Sequence, residues 1–61
     1  MLELKRIRME KGMSIHALSR ASGVSRPTIY KLEGGADCAR TKTLKALADA
    51  LGVKITEFFS D

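Results

Sequence analysis

The segment SIHALSRASGVSRPTIYKLEGG, residues 14–35, combines cationic, hydroxyl and aromatic side chains at helical spacing. Taking about 100° per residue, one outer face carries Pro27, Tyr30 and Lys31, with Thr28 at its flank and Arg26 at its tip. A guanidinium can bond guanine O6 and N7 together, and a proline ring without an N–H suits a thymine methyl. We therefore predict DNA base contacts by Arg26, Pro27 and Lys31, and by Thr28, which could equally serve a phosphate.

Other side chains of this region would position the protein on DNA without reading its sequence. Hydroxyl groups and basic loop residues do this by contacting phosphates. His16 has no Cys, Asp or Glu at metal-ligand spacing, so a phosphate contact is preferred to a metal or catalytic role. The predicted phosphate contacts are Ser25, Tyr30, Arg40 and His16.

Length and composition restrict the class of protein. A chain of 61 residues forms one domain, residues 1–61, with too little material for a layered enzyme cleft. The sequence contains no metal-ligand cluster, Cys/His pair, phosphate-binding glycine loop or plausible carboxylate pair. We predict a protein that is not an enzyme, with no catalytic residue, cofactor or metal.

Charge and compartment point to a polyanionic partner inside the cell. The formal net charge is +4, which favours nucleic acid, although a merely soluble basic surface would explain the same value. The single cysteine, Cys38, has no intramolecular disulfide partner, and no segment resembles a secretion signal or a membrane span. A cytoplasmic location without a membrane is expected, and Cys38 is interpreted as an ordinary thiol.

Glycines divide the chain into short helices. Gly12, Gly23, the pair Gly34–Gly35, and Gly52 each follow a stretch with helical apolar spacing, and no alternating strand pattern occurs. The sequence predicts an all-α, compact domain of five helices, the first over residues 2–11 and the last a short one after Gly52.

Residues 14–33 have the spacing of a helix-turn-helix, in which a short turn makes two helices cross steeply. The second of these helices, predicted over residues 25–33, would expose its outer face to the major groove. Pro27 lacks an N–H and disfavours helical geometry at Arg26, so Ser25 would cap the Thr28 amide and the helix could begin one residue late. Leu18 is the predicted anchor of the first helix, the small Ser19 permits close approach of the two helices, and Gly23 makes the turn. Val24, Ile29 and Leu32 would hold the second helix by its inner face.

At these residues the chain resembles the phage repressor and Cro family, the XRE-like helix-turn-helix proteins. Members commonly read L-S-x-x-x-L-A and then G-V-S-x-x-x-I-x-x-x-E-x-G. The counterparts here are Met13-Ser14, Leu18-Ser19, Gly23-Val24-Ser25, Ile29, and Glu33 with Gly35, followed by L-x-x-L-A-x-A-L-G-V from Leu44 to Val53. The resemblance covers essentially the whole chain.

The resemblance implies a lambda-repressor-like fold that binds operator DNA as a symmetric dimer and regulates transcription. It also implies a structural ion pair between Arg8 and Glu33. The chain departs from the family pattern at Ile15, where Gln is common, at residues 38–40, where Asn-Pro-Ser is usual, and at Lys54, in place of the usual cap of the last helix.

Two questions stay open at the level of sequence. The same fold could serve as an antitoxin-type module whose essential partner is another protein, which copurification would detect. One ring of the aromatic pair at the C-terminal end should complete the core, and the other could either mark an interface or pack in the core as well. Candidate dimer-interface residues are Ile55, Phe58 and Phe59.

Overall fold

A computed structural model describes residues 2–35 and 40–59 of the chain. Its elements are α1 (Leu4–Glu10), α2 (Ile15–Ser22), α3 (Arg26–Glu33), α4 (Thr41–Leu51) and a final 3₁₀ helix (Ile55–Phe59). No strand occurs among the described residues. The all-α class is confirmed, but the predicted fifth α-helix is a 3₁₀ helix, and α1 is shorter than the predicted 2–11.

Side-chain caps and glycines set the ends of the helices. The Ser14 hydroxyl accepts a hydrogen bond from the Ala17 amide at 3.0 Å and starts α2. Gly23 ends α2 with φ of 75°, and Gly52 ends α4 with φ of 71°, in the left-handed region that glycine adopts without steric cost. After Gly52 the Val53 amide donates to the Ala48 carbonyl at 3.0 Å, as in a Schellman stop.

The last turn is capped from within the 3₁₀ helix. Lys54 stands where family members carry a cap, and the Glu57 carboxylate instead accepts a hydrogen bond from the Lys54 amide at 2.9 Å. The Glu3 amide donates to the Phe58 carbonyl at 2.9 Å. This hydrogen bond joins the residue before α1 to the 3₁₀ helix next to the core.

Every helix contributes to a single hydrophobic core. Five of its side chains are fully buried, one or more from each of α1, α2, α3, α4 and the 3₁₀ helix. Because all five elements bury a face against the same cluster, α3 is held firmly while its opposite face remains in solvent. The core consists of Leu4, Ile7, Leu18, Ile29, Leu32, Leu44, Leu47, Ala48, Leu51 and Phe58.

Candidate nucleic-acid interface

The helix α3 has one buried face and one solvent face. Ile29 and Leu32 are 0% and 3% exposed and pack into the core. The residues on the other side are exposed, and the Tyr30 ring reaches 62% exposure. The outer face thus presents the four side chains Arg26, Pro27, Tyr30 and Lys31 to solvent, with Thr28 half-buried at its edge.

The beginning of α3 follows the prediction that Ser25 caps the helix. The helix starts at Arg26, one residue after the predicted bound at 25, and Pro27 lies in the first turn, where its missing N–H leaves no intrahelical bond unmade. As predicted, the Ser25 hydroxyl accepts a hydrogen bond from the Thr28 amide, at 3.4 Å. The hydroxyls of Ser25 and Thr28 also lie 2.8 Å apart and hydrogen-bond each other.

The turn between α2 and α3 is held by two serine hydroxyls. The Ser19 hydroxyl donates to the Val24 carbonyl at 2.7 Å, which joins the middle of α2 to the chain entering α3. The Ser22 hydroxyl donates to the Leu18 carbonyl at 2.7 Å and accepts from the Val24 amide at 3.1 Å. The small size of Ser19 was part of the prediction, but its hydrogen bond was not, because the partner of a hydroxyl depends on the path of the turn.

An ion pair fixes the other end of α3. The Arg8 guanidinium donates two hydrogen bonds to the Glu33 carboxylate, at 2.6 and 3.2 Å, and a third to the Met13 carbonyl at 2.7 Å. The Arg8 and Glu33 side chains are only 12% and 9% exposed. The hydrogen bonds to Glu33 raise the pKa of Arg8 above its ordinary value, so Arg8 stays charged. The pair connects α1, the loop before α2, and the end of α3.

Glu33→Gln is expected to destabilise the fold by about 1 to 3 kcal/mol, because it removes the charge that compensates the enclosed Arg8 guanidinium while keeping the side-chain volume. Urea denaturation of the two proteins measures this difference. Glu10→Gln is the matched control, because Glu10 pairs with Arg6 at the surface, where both side chains are about half exposed. Equal losses of stability in the two variants would show that the Arg8–Glu33 pair stabilises the fold no more than a surface ion pair does.

The remaining predicted DNA contacts, His16 and Arg40, are exposed but are not joined to α3 by any described hydrogen bond. Arg40 caps α4 through its backbone, since its carbonyl accepts from the Leu44 amide at 3.0 Å, and its side chain makes no cap bond. Cys38 lies outside the described residues.

The aromatic pair at the C-terminal end has two different environments. Phe58 is fully buried, whereas Phe59 is 56% exposed. This corrects the proposal that Phe58 could line a dimer interface, because its ring is already covered within one copy. Ile55 is half-buried and Phe59 exposed, so both remain accessible.

Charge is distributed unevenly over the described surface. Its five carboxylates are all engaged: Glu3 and Glu10 with Arg6, Glu33 with Arg8, Asp49 with Lys45, and Glu57 with the Lys54 amide. Residues 11–32 contain no Asp or Glu. Among the described residues, Arg26, Lys31 and Arg40 form no ion pair, so these cations are available to an anionic ligand. The absence of Asp and Glu from residues 11–32 is visible in the sequence and could have been used to predict this cationic surface.

A helix-turn-helix family model matches residues 4–58. The chain belongs to the helix-turn-helix family. The match confirms the predicted XRE-like, Cro/C1-type family and covers α1 to α4 and all but the last residue of the 3₁₀ helix. This helix-turn-helix protein is accordingly of the DNA-binding transcription-regulator type, with DNA as its partner, in a family that is not typically enzymatic. A search of curated proteins found no match to the chain. No helix in the described part of the chain is long and apolar enough to cross a bilayer.

Proposed function

We propose that this chain recognises a specific operator sequence in double-stranded DNA, as a symmetric dimer, and regulates transcription there. The observation that supports this proposal is α3, which is anchored in the core by Ile29 and Leu32. It exposes Arg26 and Lys31, two cations that form no ion pair with any described residue. A helix with this exposed face fits a major groove about 12 Å wide. In this arrangement the beginning of the helix meets the base edges.

The proposed base contacts are ranked by whether each side chain of α3 already forms a hydrogen bond with another described residue. Arg26 makes no internal hydrogen bond there and would bond guanine O6 and N7. Pro27 presents an apolar ring for a thymine methyl, and Lys31 lies one turn further along the same face. The Thr28 hydroxyl is already hydrogen-bonded to Ser25, so we rank Thr28 last among the four base contacts.

The proposed phosphate contacts flank the reading face. One of the two hydroxyl hydrogens of Ser25 and Thr28 is used between them, and the other remains to donate to a phosphate oxygen. Tyr30 offers an exposed phenol, Arg40 offers an exposed guanidinium just before α4, and His16 offers an exposed imidazole on α2. Groups of this kind set the register of a protein on the duplex without reading its sequence.

The test begins with selection of bound sites from a random duplex pool. The selected site and a scrambled duplex of the same composition are then titrated over a range of salt concentrations. We expect a specific site to bind at least about 1,000-fold more tightly than the scrambled duplex. Equal affinity for the two duplexes would overturn sequence-specific recognition and favour an antitoxin-type protein-binding module.

Replacing single thymines of the selected site by uracil tests the contact of Pro27, because only the 5-methyl group is lost. We expect one thymine in each half-site to weaken binding on replacement, by a factor of a few, since about one buried methyl contact worth ~0.8 kcal/mol disappears. Pro27→Ala should abolish the difference between thymine and uracil at that position. A difference that persists in Pro27→Ala assigns the methyl contact to another residue.

In this proposal residues 1–61 act as one DNA-binding unit, with the helix-turn-helix in residues 14–33. We also propose a cytoplasmic location, because the protein would act where its operator is accessible. A symmetric dimer would place two copies of α3 about 34 Å apart, one turn of DNA, on a palindromic site.

A further inference from the structure

The four side chains proposed to contact bases differ in their capacity for hydrogen bonds. Arg26 and Lys31 can only donate, and the Pro27 ring can neither donate nor accept. Donors suit guanine, which shows the two acceptors O6 and N7 in the major groove. Adenine and cytosine also show an amino group there, and an amino group needs an acceptor on the protein. Among the four residues only Thr28 has one, its hydroxyl oxygen.

Other acceptors for an amino group are scarce on α3. The chain contains no Asn or Gln, the residues that bond adenine through two hydrogen bonds. The one carboxylate of α3 belongs to Glu33, whose side chain is 9% exposed and bonded to Arg8 through both oxygens. The Tyr30 phenol is proposed to contact a phosphate. The Thr28 hydroxyl is therefore the acceptor that α3 offers to a base.

We propose that Thr28 reads an amino group, the N6 amine of adenine or the N4 amine of cytosine, and that Ser25 fixes Thr28 as an acceptor by binding a phosphate. The inference rests on the proposed function, in which α3 lies in the major groove and Ser25 contacts the DNA backbone. It adds the class of base that is read at one operator position, and the reason for that preference.

The direction of the hydrogen bond between Ser25 and Thr28 determines what Thr28 can read. The two hydroxyl oxygens lie 2.8 Å apart, and either hydroxyl can be the donor. The Ser25 oxygen also accepts the Thr28 amide at 3.4 Å. If Ser25 donates to Thr28, the Thr28 hydrogen is free to bond guanine O6 or thymine O4. If Thr28 donates to Ser25, only the lone pairs of its oxygen remain, and these suit an amino group.

A phosphate at Ser25 selects the second direction. The phosphate oxygens of DNA only accept hydrogen bonds, so a hydroxyl that contacts one must donate its single hydrogen to it. Ser25 is exposed and Thr28 half-buried, so we assign the phosphate contact to Ser25. The hydrogen between the two residues must then come from Thr28. The hydrogen bonds run from the base amine through Thr28 and Ser25 to the phosphate.

Base analogues that lack only the amino group test the contact of Thr28 on the selected operator. Purine replaces each adenine and 2-pyrimidinone each cytosine, one at a time, and binding of the full chain is titrated. At one position in each half-site wild-type protein should lose affinity about 2- to 12-fold, because one hydrogen bond disappears. Thr28→Val keeps the shape of the side chain without the hydroxyl and should show no loss there. Effects of an analogue on the duplex itself are common to both proteins.

The role of Ser25 is tested by exchanging the amino group at the same position for a keto oxygen, adenine for guanine or cytosine for thymine. In the wild-type complex two acceptors then face each other, so the loss should exceed that caused by deletion of the amine. Ser25→Gly removes the phosphate contact and largely preserves the start of α3, because glycine is an acceptable helix cap. The Thr28 hydrogen can then bond the keto oxygen, and the loss on exchange should shrink at least about threefold.

Ser14→Gly is the matched control. Ser14 is the exposed cap of α2, and its oxygen accepts the Ala17 amide at 3.0 Å, but no described hydrogen bond joins it to a side chain of α3. This variant should leave the effects of deletion and exchange at the Thr28 position unchanged. Thermal melts verify that all three variants fold.

Three outcomes would overturn the inference. They are the absence of any position where deletion of an amine affects wild-type protein but not Thr28→Val, a preference for guanine or thymine at the Thr28 position, and a loss on exchange that is the same in Ser25→Gly as in wild type. Operator recognition survives each of them if the selected site still binds more tightly than the scrambled duplex. Equal affinity of wild-type protein for those two duplexes overturns the proposed function, and this inference with it.

Discussion

Phe58→Ala is expected to leave a large fraction of the protein unfolded at 25 °C. The Phe58 ring is fully buried at the centre of the only core in the described residues. Truncation of such a ring costs about 3 to 5 kcal/mol, because apolar contact is lost and a cavity remains. A domain of this length has about 3 to 5 kcal/mol of stability in total. Far-UV circular dichroism during urea titration measures the loss.

The neighbouring ring provides the control. Phe59 is 56% exposed, so Phe59→Ala should change the free energy of unfolding by no more than about 0.5 kcal/mol. The two variants remove the same atoms from adjacent positions, and only burial distinguishes them. If Phe59→Ala destabilised the protein as much as Phe58→Ala, the conclusion that Phe58 is buried and Phe59 exposed would be wrong.

Arg26→Ala is expected to lose discrimination at one base-pair position of the selected operator. A guanidinium bonded to guanine O6 and N7 contributes about 1 to 3 kcal/mol of discrimination, a factor of about 5 to 150 in relative affinity. Arg26 is exposed at the first position of α3 and has no ion-pair partner in the described structure, so its removal should leave the fold intact. Titration of wild-type and variant protein against all four bases at each operator position measures the effect.

Arg40→Ala removes a cation of the same kind at a position where we propose a phosphate contact. Binding to every duplex, specific or scrambled, should weaken by a similar factor, and the salt dependence should decrease by about one counterion. Discrimination among bases should not change. If Arg40→Ala erased a base preference and Arg26→Ala weakened all sequences alike, the roles of the two arginines would be exchanged.

Much of the fold was predictable because local chemistry determines it. Ser14 and Ser25 are good helix caps whatever surrounds them, and glycine at positions 23 and 52 ends a helix because it adopts positive φ without cost. The outer face of α3 also followed from helical spacing once Ile29 and Leu32 defined the inner one. The family assignment used the same residues, and the match over residues 4–58 confirmed it.

The errors arose where the structure of a segment depends on distant neighbours. Apolar spacing after Gly52 indicated a helix, but it could not distinguish an α-helix from a 3₁₀ helix of five residues. Nor could it show which ring of the aromatic pair faces inward, since adjacent helical positions differ by about 100° and the inward direction depends on packing. Phe58 was therefore included among the interface residues although its ring is fully buried.

The sequence by itself determined that the chain forms short helices, that residues 14–33 make a helix-turn-helix, and that cations occupy the exposed face of its second helix. These properties depend on residue type and spacing over a few turns. Only the tertiary structure decided that Ser19 locks the turn and that Phe58 fills the core while Phe59 does not. Those features depend on contacts between residues that come together only when the core packs. The spacing of apolar residues along the chain does not specify these contacts.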